Sequence, residues 1–116
     1  MGMDVYGANE GTYFRANCWG WRPIIEAIWE ADKEELLSDA LLCAMGYNDG
    51  AGLRDETDCH ELADKLERWV NANVEDTYSP DVFKNEDGSN YYSTSKDHLL
   101  EFVTFLRECG EGFEVW

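Results

Sequence analysis

Apolar residues recur at helical spacing in two neighbouring segments of the first half of the chain. Pro23 suits the first position of a helix, where its missing N–H costs nothing. The apolar stripe that follows predicts a helix to about Asp32. A second stripe predicts a helix from Lys33 to Met45, which Gly46 ends. The stripe residues are Ile24, Ile25, Ile28 and Trp29 in the first helix, and Leu36, Leu37, Ala40, Leu41 and Ala44 in the second.

The second half of the chain contains two more helical patterns. A third helix is predicted from about Glu56 to Asn73, and a fourth runs to about Cys109 after a cap at Ser93 or Thr94. The fourth helix is apolar on nearly two faces, which predicts that it is the most buried. Mostly buried side chains are expected at Trp29, Leu66, Trp69, Leu99, Val103 and Phe105.

Polar and apolar residues alternate at both ends of the chain, in Met1–Gly7 and Phe113–Trp116, and each segment reads as a short strand. An isolated pair of strands is marginal, so the two ends are expected to pair with each other and to pack on the helices. Tyr13–Trp21 is expected to be irregular or briefly extended. Val74–Ser93 reads as a long polar connection that holds a short strand or a single turn.

Together these patterns predict one domain over residues 1–116 with a helix-rich α+β fold: about four helices around an aromatic core, and a small β-pair formed by the two chain ends. Apolar residues make up 44% of the 116 residues, enough for a packed interior. No run approaches the length of a membrane span, and no basic patch followed by an apolar stretch marks a signal peptide. We therefore expect a cytoplasmic location.

The four cysteines, Cys18, Cys43, Cys59 and Cys109, form no Cys-x-x-Cys pair. We expect free thiols, since a reducing cytosol disfavours disulfides. Cys59 next to His60 is the one Cys/His adjacency, and a structural zinc site needs four converging ligands. The sequence therefore predicts no metal and no cofactor.

Charge is the most unusual property of this sequence. It has 25 acids against 9 bases, a net charge of −16. Such a charge repels nucleic acid and anionic membranes, and it favours a basic protein surface as partner. The alternative is that the charge only confers solubility and takes no part in binding. The oligomeric state does not follow from these patterns.

The acids of the first two predicted helices are opposed by a single base, Lys33. Glu26 and Glu30 are about 6 Å apart along a helix axis, within a factor of two of the spacing of backbone phosphates. An acidic helical face of this kind suits a basic nucleic-acid-binding groove, and its alternative is a solvated helix surface. The predicted partner-binding residues are Glu26, Glu30, Asp32, Glu34, Glu35 and Asp39.

No catalytic motif is present, and the sequence favours a non-catalytic protein. The loop Asn48-Asp49-Gly50 lacks the order of acids that a calcium loop requires, and its acidic neighbours would repel phosphate. The alternative from another class is a small hydrolase or ligand-binding enzyme, with a cleft near Asn48, Asp49 and His60.

The chain opens with Met-Gly-Met-Asp-Val-Tyr-Gly, continues with Tyr-Phe-Arg-x-Asn-x-Trp-x-Trp-Arg-Pro, and closes on Gly-Phe-Glu-Val-Trp. These segments resemble a group of small bacterial and phage proteins that begin and end in this way. The resemblance does not extend to Val74–Ser93, and it assigns no catalytic residue. It implies a bacterial or phage cytosolic setting. With the charge, it favours a phage-associated inhibitor of a host nucleic-acid-binding or defence protein, which makes the chain an anti-CRISPR candidate.

Overall fold

The structure, a computed structural model, describes residues 2–116. Four helices and a small sheet with strands at both chain ends confirm the predicted helix-rich α+β class. In chain order the elements are β1 (Gly2–Gly7), β2 (Tyr13–Asn17), α1 (Cys18–Asp32), α2 (Asp39–Ala44), α3 (Glu56–Asn73), β3 (Thr77–Tyr78), a 3-10 turn (Asp81–Phe83), β4 (Thr94–Ser95), α4 (Lys96–Glu108) and β5 (Phe113–Val115).

The sheet joins the two ends of the chain. Its order is β2-β1-β5 with antiparallel neighbours, and Val5 lies opposite Val115. Both valines are fully buried, because alternation turns them toward the helices. The predicted pairing of the ends is confirmed, and β2 adds a third strand. Met1, where the predicted first strand began, lies outside the described residues.

The first helix begins five residues earlier than predicted, at Cys18 rather than Pro23. The Asn17 side chain caps it by accepting a hydrogen bond of 2.9 Å from the Gly20 amide. Trp21 is buried and donates from its indole to the Met45 carbonyl at 2.9 Å. This cap and this anchor hold the first turn ahead of the proline.

The predicted helix from Lys33 to Met45 is wrong in its first half, because α2 begins only at Asp39. Lys33 and Glu34 both have left-handed backbone angles, with φ of 51° and 63°. The Asp32 carboxylate accepts hydrogen bonds from the amide N–H groups of Leu36 and Leu37. These bonds fix a turn where the apolar spacing predicted a helix.

The core is aromatic at its centre, where Trp21, Phe102 and Phe113 are almost completely buried. Trp29 is 38% exposed, so its predicted burial is wrong. It follows Ile28 by about 100° of helix rotation, and Ile28 already faces the interior. Trp69 is only partly buried, packed on the rim of the core. Burial is confirmed at Leu66, Leu99, Val103 and Phe105.

The polar connection from residue 74 to residue 93 contains short elements, as predicted. Tyr78 in β3 pairs with Thr94 in β4, and the 3-10 turn follows Pro80. The segment also packs aromatic rings against α1, with Tyr92 at 5.0 Å from Trp19 between ring centroids. Among residues 2–116, no helix has the length and apolar character needed to cross a bilayer.

Leu66→Ala is expected to destabilise the protein by about 2–5 kcal/mol, since it empties a fully buried site on α3. Trp29→Ala is the control and should cost roughly 1 kcal/mol or less, because its ring is partly solvated already. Urea unfolding measures both. Equal losses would contradict this description of the core.

Candidate partner-binding surface

The six predicted partner-binding acids do not form one continuous face. Asp32 is only 1% exposed, so its expected place on the acidic surface is corrected. Its carboxylate ends α1: it accepts the amides of Leu36 and Leu37 at 3.0 Å and 2.9 Å, and Lys65 Nζ lies 3.1 Å away. Asp32 is therefore a structural residue that joins α1 to α3.

Glu35 shares Lys65 with Asp32, at 2.9 Å from Nζ, but its side chain is exposed. Burial of Lys65 opposes its charge, yet the hydrogen bonds that it donates to Glu35 and Asp32 outweigh burial, and the pKa of Lys65 is raised. Glu34 and Asp39 are exposed to solvent. Of the six acids, Glu35 is thus partly neutralised, while Glu34 and Asp39 are free to meet a partner.

Glu26 and Glu30 project from α1 into a cleft of about 470 Å³. Trp69 and Asn73, near the C-terminal end of α3, line the opposite wall. Residues 78 to 82, from Tyr78 to Val82, close the third side. We call this space the Trp69 cleft. Among the described residues that line it, none is basic.

The walls of the Trp69 cleft are aromatic as well as acidic. The rings of Trp69 and Tyr78 meet edge to face, with centroids 5.1 Å apart and planes at 83°. Such an arrangement is favourable for aromatic pairs and leaves ring surface available to a third group. The face of an aromatic ring attracts cations. The cleft therefore combines two kinds of group that stabilise positive charge.

Electrostatics within the cleft are unfavourable for the carboxylates themselves. Burial raises the pKa of Glu26, and the charges of Glu30 and Asp39 raise it further. Burial, followed by the charges of Glu26 and Glu30, also raises the pKa of the Tyr78 phenol. Within residues 2–116, the base paired with these acids is Lys33, whose Nζ lies 3.9 Å from Glu30 and whose side chain is largely exposed.

Elsewhere several bases are held in internal ion pairs. Arg107 on α4 contacts Asp64 and Glu67 on α3 at 3.0 Å and 3.1 Å. Arg54 lies 3.2 Å from Glu114 in β5. These contacts connect elements of the fold. The charges of Asp64, Glu67 and Glu114 are therefore better compensated than those of the acids in the cleft.

The alternative enzymatic cleft is not supported by the geometry. Asn48 donates its amide N–H groups to the carbonyls of Trp116 and Gly2, and so ties the chain end to β1. Asp49 and His60 are exposed, in the loop after α2 and on α3. The cavity that the structure forms on α1 and α3 is lined by other residues.

The two buried cysteines differ in their electrostatics. The hydrogen bond with Cys59 lowers the pKa of the Cys109 thiol, which is itself fully buried. Cys59 is fully buried, and a hydrogen bond with Cys109, together with burial, raises the pKa of its thiol. Because the thiolate is the reactive form, a raised pKa suppresses reactivity. Among residues 2–116 the four cysteines are free, and no three His, Cys, Asp or Glu side chains converge in a metal-binding group.

The two aromatic residues of the cleft were not predicted as partner-binding residues. Trp69 sits on the edge of the apolar stripe of α3, which predicted a core role, and Tyr78 lies in the connection that read as polar. For Tyr78 no local pattern indicates that β3 would bring it against α3.

Comparison with protein families, with curated proteins and with solved structures finds no match to this chain.

Asp32→Asn is expected to destabilise the fold by about 2–3 kcal/mol, the upper range for hydrogen bonds to charged groups. Glu35→Gln should cost under about 1 kcal/mol, as exposed ion pairs do. Chemical denaturation compares the two. A small loss for Asp32→Asn would mean that the buried carboxylate is not what ends α1.

Glu26→Gln should raise the melting temperature at pH 7 and have little effect near pH 4. The folded pKa of Glu26 is raised, so protonation favours the folded state. That favourable contribution is complete below the unfolded value of about 4.3 and is lost as pH rises through the folded pKa. Glutamine mimics the protonated form at every pH. Glu34→Gln, at an exposed position, is the control, and an equal pH-dependent gain there would contradict the burial of Glu26.

Proposed function

We propose that this protein is a small acidic, non-catalytic interaction protein that binds a basic surface of another protein. The observation that carries the proposal is the negative charge of the Trp69 cleft, which in the described chain only the solvent-exposed Lys33 beside Glu30 offsets. Glu26 and Glu30 are partly withdrawn from water, and none of the described lining residues is basic. A partner that supplies positive charge would relieve both the mutual repulsion and the desolvation of these carboxylates.

The net charge of −16 supports the same partner class. Electrostatic attraction would steer a basic partner toward this side of the molecule and accelerate encounter. Direct binding to nucleic acid or to an anionic membrane is disfavoured by the same charge. Glu34 and Asp39 extend the acidic surface beyond the cleft, toward α2.

The sharpest version of the proposal is a phage-associated inhibitor that acts in the bacterial cytosol. Its target would be a host nucleic-acid-binding or defence protein, whose basic groove the acidic surface would occupy in place of nucleic acid. The supporting features are the resemblance of the chain ends to small bacterial and phage proteins and the spacing of the α1 carboxylates. The activity of an anti-CRISPR protein is one form that such inhibition takes.

Amide substitution at four acids of this surface tests the proposal. The test variant carries Glu26→Gln, Glu30→Gln, Glu34→Gln and Asp39→Asn. The control carries glutamine at Glu61, Glu75, Glu101 and Glu108, which are exposed acids on other parts of the chain. Both variants lose four negative charges, so they separate a local surface from net charge.

Partners are first captured from a bacterial lysate with the parent protein and identified by mass spectrometry. Association rates are then measured at low and high salt. We expect a basic partner, and an association rate that falls roughly tenfold or more for the test variant at low salt, with a smaller loss for the control. The salt dependence should also be weaker for the test variant, since screening has less to remove. Parent-like rates for both variants at every salt concentration would contradict the proposal.

A further inference from the structure

We infer that the Trp69 cleft is a receptor for the side chain of a single arginine presented by the basic partner. This inference rests on the proposed function, and it adds the chemical identity of the partner's side chain that enters the cleft. The four features that carry it are the position of the carboxylates, the aromatic pair, the apolar rim and the size of the cleft.

The carboxylates are placed to hold a planar cation. Glu26 and Glu30 are one helical turn apart on α1, about 6 Å along the axis. A guanidinium has five N–H donors in a fixed plane and accommodates two carboxylates at once. The nearest base in the described chain, Lys33, lies 3.9 Å from Glu30, and its side chain is 72% exposed, so it satisfies Glu30 only from the solvent side.

The aromatic pair supplies the second kind of contact. Trp69 and Tyr78 line the cleft together with the carboxylates, and both rings are half-buried. A guanidinium stacks on aromatic faces more readily than an ammonium does, because it is planar and more weakly hydrated. The same chain already uses this contact internally, where the Arg22 guanidinium lies 5.6 Å from the centroid of the Tyr92 ring.

The rim of the cleft suits the apolar part of an arginine side chain. Val82 lines the cleft with an apolar side chain that is 68% exposed, and the buried Pro80 lies beside it. The methylene stem of an arginine covers apolar surface while its charged end reaches a polar site. The volume of about 470 Å³ falls within the range of roughly 300–1,000 Å³ that is common for ligand pockets, so the side chain and adjoining backbone fit.

The chemistry distinguishes arginine from other occupants. Lysine offers a compact ammonium with a strong hydration shell, so it satisfies the carboxylates but gains less from the rings. Citrulline has nearly the shape of arginine without its charge, and it should bind poorly. A ligand that is anionic or only apolar would leave Glu26 and Glu30 uncompensated.

Three short peptides test the inference without the natural partner. They are acetyl-Gly-Arg-Gly-amide and its lysine and citrulline counterparts. Each is titrated into ¹⁵N-labelled protein while the indole N–H signal of Trp69, assigned with Trp69→Phe, is followed by NMR. We expect a saturable shift with the arginine peptide in the millimolar range of Kd that suits one side chain. The lysine peptide should bind roughly threefold more weakly, and the citrulline peptide should cause no saturable shift.

Matched variants locate the site. The pair Glu26→Gln and Glu30→Gln should weaken the arginine peptide roughly fivefold or more, because both charges that hold the guanidinium are removed. The pair Glu34→Gln and Asp39→Asn removes the same charge outside the cleft and should change affinity less than roughly twofold.

Trp69→Leu keeps an apolar wall without the ring, and it should remove most of the preference for arginine over lysine. Because this variant lacks the indole signal, its binding is followed by the backbone amide signals of Asn73 and Tyr78, which also line the cleft. Amide spectra of each variant verify that it is folded.

The inference is overturned if the Trp69 signal stays fixed with the arginine peptide up to about 20 mM, well above the expected Kd. It is also overturned if the citrulline peptide binds as tightly as the arginine peptide, or if the cleft variants bind the arginine peptide as the parent does.

These results are distinct from failure of the proposed function. A basic partner that depends on Glu34 and Asp39 but ignores the cleft variants would leave the proposed function standing. Arginine binding in the cleft without any partner that depends on the acidic surface would leave this inference standing alone.

Discussion

The buried contact between Asp32 and Lys65 is the interaction on which the arrangement of this protein depends. The Asp32 carboxylate ends α1 and fixes the turn before α2 by accepting the Leu36 and Leu37 amides, and its ion pair with Lys65 joins α1 to α3. Because Lys65 and Trp69 are one turn apart on α3, they share a face of that helix. The two helices run antiparallel, so pairing Asp32 with Lys65 brings Glu30 and Glu26 toward Trp69 and Asn73. The cleft is thus a consequence of the same packing that stabilises the fold.

The distribution of bases explains why the charge of this protein is uneven. With 9 bases against 25 acids, many carboxylates must lack a partner. Lys65, Arg107 and Arg54 are engaged in contacts that connect helices or attach β5, so their charges are taken up by the fold. Repulsion then persists where little basic charge is available, most clearly at Glu26, while Glu30 is paired within residues 2–116 only with the solvent-exposed Lys33. A surface used for binding would tolerate this cost, because a basic partner would supply the missing charge.

The fold class follows from patterns that extend over many residues, and the errors fall where one side chain overrides such a pattern. Helical spacing identified α3 and α4, and alternation identified β1 and β5. The apolar spacing from Leu36 to Ala44 could not reveal that Asp32 would accept backbone amides and break the helix. Likewise, Glu26 and Glu30 were predicted as partner-binding residues from charge alone. Their aromatic neighbour Tyr78 could not be predicted as a partner-binding residue, since its position depends on a two-residue strand and on tertiary packing.

We propose that the α1 carboxylates in the cleft are held in an unfavourable state that a bound cation relieves. Carboxyl-detected ¹³C NMR measures it directly, by titrating Glu26 with pH in the free protein and again with the acetyl-Gly-Arg-Gly-amide peptide present at saturation. We expect the pKa of Glu26 to lie above its ordinary value in the free protein and to fall when the peptide is bound. An ordinary pKa for Glu26 that the peptide does not change would show that no such strain exists in the cleft.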